Sequence, residues 1–290
     1  MTAQAPTASL PTVPRLYATL LDDAALFPPG NAPMANALRA HARTLQSADA
    51  PYVGSFVCTA DRLDELVAAL PPDLPAVSLS LVVPPGVEAL APALAAVAHQ
   101  PRLVLRAVEL PAGAVGTAAT AEALSTLLPP VATGYVEVPF DHELPSSVAA
   151  LAGTTHRLKL RTGGESSSAF PSEAALAAAV AACVRAGLPF KLTAGLHHAV
   201  RSTDPATGFE HHGFLGVLVA VSRALDGAAL PDLVDALAER DPAALLAEVA
   251  DVGERRAEQV RRSFTSFGTC STHDPLTDLR ALGLVEAGAA

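Results

Sequence analysis

The chain has 290 residues, of which 50% are hydrophobic, 17% charged and 4% aromatic, with a formal net charge of −10 at pH 7. This length can bury a large core, and it fits one barrel-sized domain or two small ones. The acidic balance, with arginines scattered and no basic run, argues against a nucleic-acid-binding surface.

Membrane insertion and secretion are not expected either. The sequence lacks a stretch of about 20 uninterrupted apolar residues, which argues against a membrane span. Residues 1–14, MTAQAPTASLPTVP, lack the basic start and the apolar centre of a secretory signal and are predicted to be a flexible arm. The three cysteines lie far apart without a CxxC pair, so reduced thiols in a cytoplasmic protein are the simplest interpretation.

Short β-branched or apolar runs alternate along the chain with longer stretches of helical period. The predicted strands are 15–21, 52–58, 76–83, 102–110, 135–139, 156–161 and 189–194. Their starts recur at intervals of roughly 20 to 37 residues, the size expected of βα units. Seven such units indicate a parallel α/β fold, and an eighth strand would close a barrel.

Two segments compete for the eighth strand. Residues 211–216, HHGFLG, follow the seventh strand too closely to leave room for a helix, whereas 263–270, SFTSFGTC, precede an Asp-Pro helix start and are preferred. Residues 228–262 then form extra helices before the last strand. The predicted fold is α/β, a single (β/α)8 TIM barrel over residues 15–290. A doubly wound open sheet is the alternative, but no GxGxxG or GxxxxGK[ST] loop supports nucleotide binding.

Lysine is rare in this chain, and its placement is informative. Among the 19 basic residues only Lys159, in HRLKLRTGG, and Lys191, in PFKLTAGLHH, are lysines. Residues two apart on a strand share a face, so Arg161 and Thr193 accompany them. Both pairs should point into the barrel near the carboxyl ends of the strands, where barrel enzymes carry out their chemistry.

A buried lysine beside a second cation has a defined chemistry. Desolvation and the neighbouring charge lower the pKa of such an amine, and the neutral amine can attack a carbonyl carbon to form a Schiff base. Arginine cannot replace it, because its guanidinium stays protonated in proteins. A nearby glutamate can move protons to and from carbon. Glu137, in YVEVP, points inward by strand alternation, whereas Glu109, which closes the fourth strand, is less securely placed.

At these residues the chain resembles a known family. LKLRTGG followed by KLTAGLH is similar to the paired lysine strands of deoxyribose-phosphate aldolase-like class I aldolases, over about residues 156–197. The matching residues are Lys159, Thr162, Gly163, Lys191, Gly195 and Leu196. The resemblance implies that Lys159 forms the imine and that Lys191 is its electrostatic partner. It also implies an acidic group on the fourth strand, for which Glu109 and Glu137 are both candidates.

The leading hypothesis is therefore a Schiff-base-forming lyase acting on a small carbonyl compound that bears an anionic group, with no cofactor. The candidate catalytic residues are Lys159, Lys191, Glu137 and Glu109. The candidate substrate-binding residues are Arg161, Thr193, His197 and His198. A small-molecule substrate is the expected partner, with a homo-oligomer left open. The structural alternative is that the buried charges form an ion-pair network that plugs the barrel.

A second hypothesis starts from two histidine doublets. Imidazole and carboxylate are common ligands of zinc and other divalent metals, and the candidate ligands are His197, His198, Glu210, His211 and His212. Such a site predicts a metal-dependent barrel isomerase, lyase or hydrolase. However, adjacent residues on an extended chain point in opposite directions, so helix capping or substrate binding is the other interpretation of these histidines.

A third hypothesis is a barrel that binds a small acid without turnover. Asp22 and Asp23, placed in the loop after the first predicted strand, are either ligands or residues that satisfy loop amides, and the second interpretation is preferred.

Overall fold

The computed structural model describes residues 13–72, 74 and 76–286, so most of the predicted N-terminal arm, residues 1–12, lies outside the described part. The strands are Leu21–Asp23 (β1), Val53–Thr59 (β2), Val77–Val82 (β3), Leu103–Pro111 (β4), Thr133–Glu137 (β5), Arg157–Arg161 (β6), Phe190–Thr193 (β7), Ser202–Thr203 (β8), Glu210–His211 (β9) and Phe264–Thr269 (β10). Eight of them form a closed parallel barrel in the order β1-β10-β7-β6-β5-β4-β3-β2. The predicted (β/α)8 barrel is confirmed.

Helices follow each barrel strand and form the outer layer. They are Met34–Leu45 (α1), Leu63–Ala69 (α2), Leu90–Ala98 (α3), Gly116–Leu127 (α4), Leu144–Leu151 (α5), Glu173–Arg185 (α6), Phe214–Leu225 (α7), Leu230–Ala238 (α8), Pro242–Ala250 (α9), Glu254–Ser263 (α10) and His273–Ala281 (α11). The start of α6 illustrates the local sequence logic, because the Ser172 hydroxyl accepts a hydrogen bond from the Ala175 backbone N–H.

The preferred assignment of the eighth barrel strand is also confirmed. Residues 264–269 form β10, which pairs in parallel with β1 and β7. Helices α8, α9 and α10 are inserted between α7 and β10, as predicted. The competing segment does not join the barrel: His211 pairs antiparallel with Ser202 in the small β8-β9 hairpin.

The first predicted strand is misplaced. Residues 15–19 form a turn, and β1 begins only at Leu21. The apolar side chains Leu16, Tyr17 and Leu20 are nevertheless buried in the core. These side chains enter the core from a turn and do not alternate as strand residues do, so an apolar run alone does not identify a strand here.

The predicted alternation of side chains between the core and the barrel interior is observed on β6 and β7, the two strands that carry the lysines. Leu158 and Leu160 of β6, and Phe190 and Leu192 of β7, are fully or almost fully buried in the hydrophobic core. The intervening positions therefore face the barrel interior.

Among the described residues, one stretch, Ser167–Arg185, is long and apolar enough by length and composition to cross a membrane. It contains α6, which lies in the helix layer of the barrel. Leu176, Ala177 and Val180 on this helix are buried in the core.

Candidate functional site

A network of oppositely charged side chains occupies the barrel interior at the carboxyl ends of the strands. Its members are Asp22, Glu109, Glu137, Lys159 and Lys191. Charges are buried in proteins only when paired and hydrogen-bonded, and each member meets this condition. The sequence predicted the two lysines and Glu137 at this place, and strand register brings them together. Glu137 lies opposite Lys159, which lies opposite Lys191.

Lys191 is the deeper of the two lysines. Its Nζ lies 2.6 Å from Asp22 Oδ2 and 2.7 Å from Glu109 Oε1, and 5.2 Å from the centre of the Tyr135 ring. Burial by itself would lower the pKa of Lys191, but the negative charges of Asp22 and Glu109 outweigh it and hold the pKa well above its usual value. Lys191 therefore remains an ammonium ion at neutral pH.

Glu109 joins the two lysines. Its Oε2 lies 2.5 Å from Lys159 Nζ, its Oε1 contacts Lys191, and the Ser80 hydroxyl donates to Oε1 at 2.6 Å. Burial would raise the pKa of this carboxyl, but the two ammonium groups outweigh burial and hold the pKa well below its usual range. The structure thus settles the position of Glu109, which is inside the barrel and negatively charged at neutral pH.

Asp22 is a member of the network that the sequence reading missed. Its Oδ2 accepts hydrogen bonds from Lys191 and from the Ser266 hydroxyl, both at 2.6 Å, while Oδ1 accepts from the Ser55 backbone N–H at 2.9 Å. The interpretation of Asp22 as a loop residue that satisfies amides is therefore wrong in its main part. Strand alternation, applied to the correct β1, would have found it.

Asp23, the next residue, faces the opposite way. Its Oδ2 lies 2.9 Å from Nδ1 of His41 on α1, and its Oδ1 accepts from the Ala25 backbone N–H at 3.2 Å. Asp23 thus does satisfy a loop amide, but its main contact ties β1 to the helix layer and lies outside the network.

A cavity of about 830 Å³ opens above the network at the carboxyl end of the barrel. Lys159 lies at its floor, with the side chain 4% exposed and Nζ held 2.7 Å from Glu137 Oε2. Glu109 and Glu137 also line the cavity, whereas Lys191 does not. Of the two lysines, only Lys159 can therefore meet a bound molecule.

The predicted substrate-binding residues divide into two groups. Arg161 and Thr193 line the cavity, as expected from alternation, and His197 lines it from the loop after β7. The Arg161 side chain is 53% exposed, and its Nη1 lies 4.0 Å from Glu137 Oε1, so the guanidinium is free to meet an anion. His198 does not join them: its half-exposed ring points to Asp278, 3.1 Å away, and it does not line the cavity.

His197 has neighbours that the sequence did not indicate. Its ring centre lies 5.7 Å from that of His211, and its Nδ1 lies 3.6 Å from Cys270 Sγ. Burial, aided by the nearby rings of His211 and His198, lowers the pKa of His197 below its usual value. His197 is thus a neutral imidazole at pH 7, suited to hydrogen bonding with a substrate and not to holding an anion by charge.

The proposed metal ligands are not assembled into one site. Glu210 pairs with Arg201 and Arg240, and the buried His212 contacts the Pro171 carbonyl through Nε2 at 2.8 Å. Within the described ranges, no group of three His, Cys, Asp or Glu side chains is arranged to hold a metal ion. The ligand set of the second hypothesis is therefore wrong, because neighbouring residues of each doublet point in different directions.

Comparisons of the chain with models of protein families, with curated proteins and with solved structures find no significant match. TIM barrels commonly carry enzyme active sites at the end where this cavity lies. The functional proposal therefore rests on the fold and on the geometry of the site.

Proposed function

We propose that this protein is a cytoplasmic class I aldolase-like lyase that forms a Schiff base between Lys159 and a carbonyl compound bearing an anionic group. The observation that carries the proposal is the position of Lys159 Nζ, at the cavity floor between two carboxylates, 2.5 Å from Glu109 and 2.7 Å from Glu137. A primary amine that meets the substrate and has an adjacent proton acceptor is the requirement for imine formation.

The two lysines differ in what they can do. Lys191 has no access to the cavity, and its raised pKa keeps it protonated. A protonated amine has no free electron pair and cannot attack a carbonyl carbon. Lys191 instead supplies a fixed positive charge on the far side of Glu109. Lys159 is therefore the nucleophile.

The two glutamates also differ. The depressed pKa of Glu109 makes it a weak base at neutral pH, so it positions the lysines. Glu137 contacts Lys159 and lines the cavity with its side chain 17% exposed, so it meets both the amine and a bound molecule. Glu137 is thus the proton carrier: it takes a proton from Lys159 and returns protons during the reaction.

The proposed chemistry follows from these roles. Lys159 adds to the carbonyl carbon, and the adduct loses water to give a positively charged imine. When the bond between the carbons α and β to the imine breaks, its electron pair moves into the imine to give an enamine. A base such as Glu137 takes the proton of the hydroxyl on the β carbon, which becomes the released carbonyl. Protonation of the enamine carbon and hydrolysis then regenerate Lys159. The same steps in reverse join two carbonyl compounds.

Arg161, Thr193 and His197 are proposed to bind the substrate on the wall above Lys159. Arg161 provides a planar, permanently charged group for a carboxylate or phosphate. Thr193 and the neutral His197 provide hydrogen bonds for hydroxyl or carbonyl oxygens. An anionic group held by Arg161 would fix the carbonyl near the lysine.

Borohydride trapping tests the proposal. The protein is incubated with small aldehydes, ketones and 2-oxo acids and reduced, and the adduct is located by intact mass and peptide mapping. We expect a stable adduct on Lys159 with at least one carbonyl compound and none in Lys159→Arg, which keeps the positive charge. Failure of every carbonyl compound to react with folded protein, or an adduct mapped to Lys191, would contradict the assignment.

A binding barrel without turnover is the second candidate. It is favoured by the full compensation of both lysines by carboxylates, which a purely structural network also requires. On this hypothesis Lys159→Arg binds small acids as tightly as the wild type. The aldolase proposal predicts that the same variant loses all trapping and turnover.

A further inference from the structure

The cavity is larger than a small polar substrate requires. Sites of about 300–1,000 Å³ hold ligands of the size of a drug molecule, and this cavity of about 830 Å³ lies in the upper part of that range. A three-carbon oxo acid bound at Lys159 and Arg161 would leave most of this space unfilled.

The charged strand residues and a mostly apolar wall lie on different sides of the cavity. The charged groups that face it from β4, β5 and β6 are Glu109, Glu137, Lys159 and Arg161. The opposite wall, formed by the ends of β1, β2 and β3 and the loops after them, is mostly apolar. Its apolar residues include Phe27, Pro28, Pro29, Val57, Val82 and Val83. Thr59 and Asp61 are the polar residues on that side.

We infer that the substrate is amphipathic: its carbonyl and anionic groups lie at Lys159 and Arg161, and it carries an alkyl chain or an aryl ring that lies against the apolar wall. The inference rests on the proposed function and adds to it the class of substrate. Small hydrophilic compounds gain nothing from an apolar wall, whereas each buried methylene strengthens binding by about fourfold. The wall therefore selects for substrates with an apolar tail.

Straight-chain carboxylates test this inference without using the imine. Butanoate, hexanoate and octanoate carry the anionic group and the tail but no carbonyl group that Lys159 can attack. We expect calorimetric dissociation constants to fall about 15-fold with each two-carbon extension. The 2-oxo acids of the same lengths, trapped with borohydride at limiting concentration, should show the same order of adduct yield on Lys159.

A matched pair of variants separates the cavity from the protein surface. Val82→Ser places a hydroxyl on the apolar wall, whereas Val131→Ser makes the same change at a valine that is 79% exposed and does not line the cavity. Val82→Ser should reduce the gain per two carbons to about threefold or less, and Val131→Ser should leave it at the wild-type value. Phe27→Ala serves as a second cavity variant if Val82→Ser melts below the assay temperature.

The outcomes distinguish this inference from the proposed function. Equal affinity for all three carboxylates overturns the inference even if pyruvate is trapped on Lys159. A chain-length gain that is the same in the wild type, in both cavity variants and in Val131→Ser also overturns it, because binding then occurs elsewhere. A gain that the cavity variants remove, together with no trapping of any 2-oxo acid, supports the apolar wall and contradicts the imine.

Discussion

Asp22 and Lys191, which are 169 residues apart in the sequence, form an ion pair of 2.6 Å inside the barrel. They belong to β1 and β7, and β10 lies between these strands and contributes Ser266, which also donates to Asp22. The pair therefore spans the seam at which the first and last barrel strands meet. Glu109, from β4, continues the network across the interior and connects this seam to Lys159 at the floor of the cavity.

Gly54 on β2 leaves the space that Asp22 needs. A Cβ atom at Gly54 would lie 2.8 Å from Asp22 Oδ1, closer than real Cβ contacts allow. We expect Gly54→Ala to displace the carboxylate and to lower the free energy of unfolding by about 1–3 kcal/mol. Urea denaturation of the wild type and of Gly54→Ala measures this change in the free energy of unfolding. Gly253→Ala is the control, because a Cβ there meets nothing within 4 Å, and it should change the stability by less than about 1 kcal/mol. Equal losses in the two variants would contradict the steric explanation.

Glu109 should be the most sensitive acidic residue for stability. Glu109→Gln keeps the shape of the side chain but leaves Lys159 and Lys191 without their shared counter-charge. Breaking a buried ion pair at one partner costs about 3–5 kcal/mol, and we expect a loss of this size in the free energy of unfolding. Glu122→Gln, at an exposed position of α4, makes the same chemical change outside the barrel and should be nearly neutral. Wild-type stability in Glu109→Gln would show that the network contributes little.

The pH dependence of stability follows from the same group. Because the folded pKa of Glu109 lies below its unfolded value, its contribution is fully present above the ordinary carboxyl pKa of about 4.3 and is lost as pH falls further, through the folded pKa. The free energy of unfolding should therefore fall with decreasing pH below about 4.3, and less steeply in Glu109→Gln. Urea midpoints between pH 3 and 7 test this. If the free energy of unfolding falls equally steeply with decreasing pH in the wild type and in Glu109→Gln, Glu109 is not the source of the pH dependence.

The contribution of Lys191 to stability depends on pH in the opposite direction to that of Glu109. Its folded pKa is raised, so its contribution is fully present below the unfolded value of about 10.4 and is lost as pH rises through the folded pKa. Stability should decline with increasing pH above about 10.4, and this decline should be weaker in Lys191→Met. Unfolding followed by circular dichroism between pH 8 and 11.5 provides the measurement. A decline of equal steepness in both proteins would show that other groups cause it.

Much of the fold could be read from the sequence because its signals are local. The βα rhythm and strand alternation placed Lys159, Lys191 and Glu137 in the interior without knowledge of their partners. Asp22 is not predicted as a site residue because the apolar residues of the preceding turn pack into the core and resemble a strand in sequence. The predicted first strand therefore ends at residue 21, before Asp22. Its partnership with Lys191 also depends on closure of the barrel, which no local pattern encodes.

The histidines also show what local sequence patterns leave undetermined, namely the direction in which each side chain points. The sequence places four of them near the carboxyl end of the barrel, but the backbone decides which rings point into the cavity. His197 and His211 do so, whereas His198 turns outward to Asp278 and His212 is buried against the Pro171 carbonyl. Ser80 and Ser266 donate hydrogen bonds to the carboxylates of the network. No sequence pattern distinguishes these two serines from the others.

Arg161 should decide affinity for the anionic group without affecting stability. Its half-exposed guanidinium lies on the cavity wall, with Glu137 at 4.0 Å as its acidic neighbour. Arg161→Gln should raise the dissociation constant for hexanoate about 10- to 100-fold, since hydrogen bonds to charged groups contribute about 1.5–3 kcal/mol. Arg161→Lys should recover part of this loss because it restores the charge but not the planar fork. Arg255→Gln, at an exposed position of α10, should bind hexanoate as the wild type does. Isothermal calorimetry measures these constants, with the melting temperature as a check on folding. If Arg161→Gln binds hexanoate with wild-type affinity, the anionic group is held elsewhere in the cavity and the proposed orientation of the substrate is wrong.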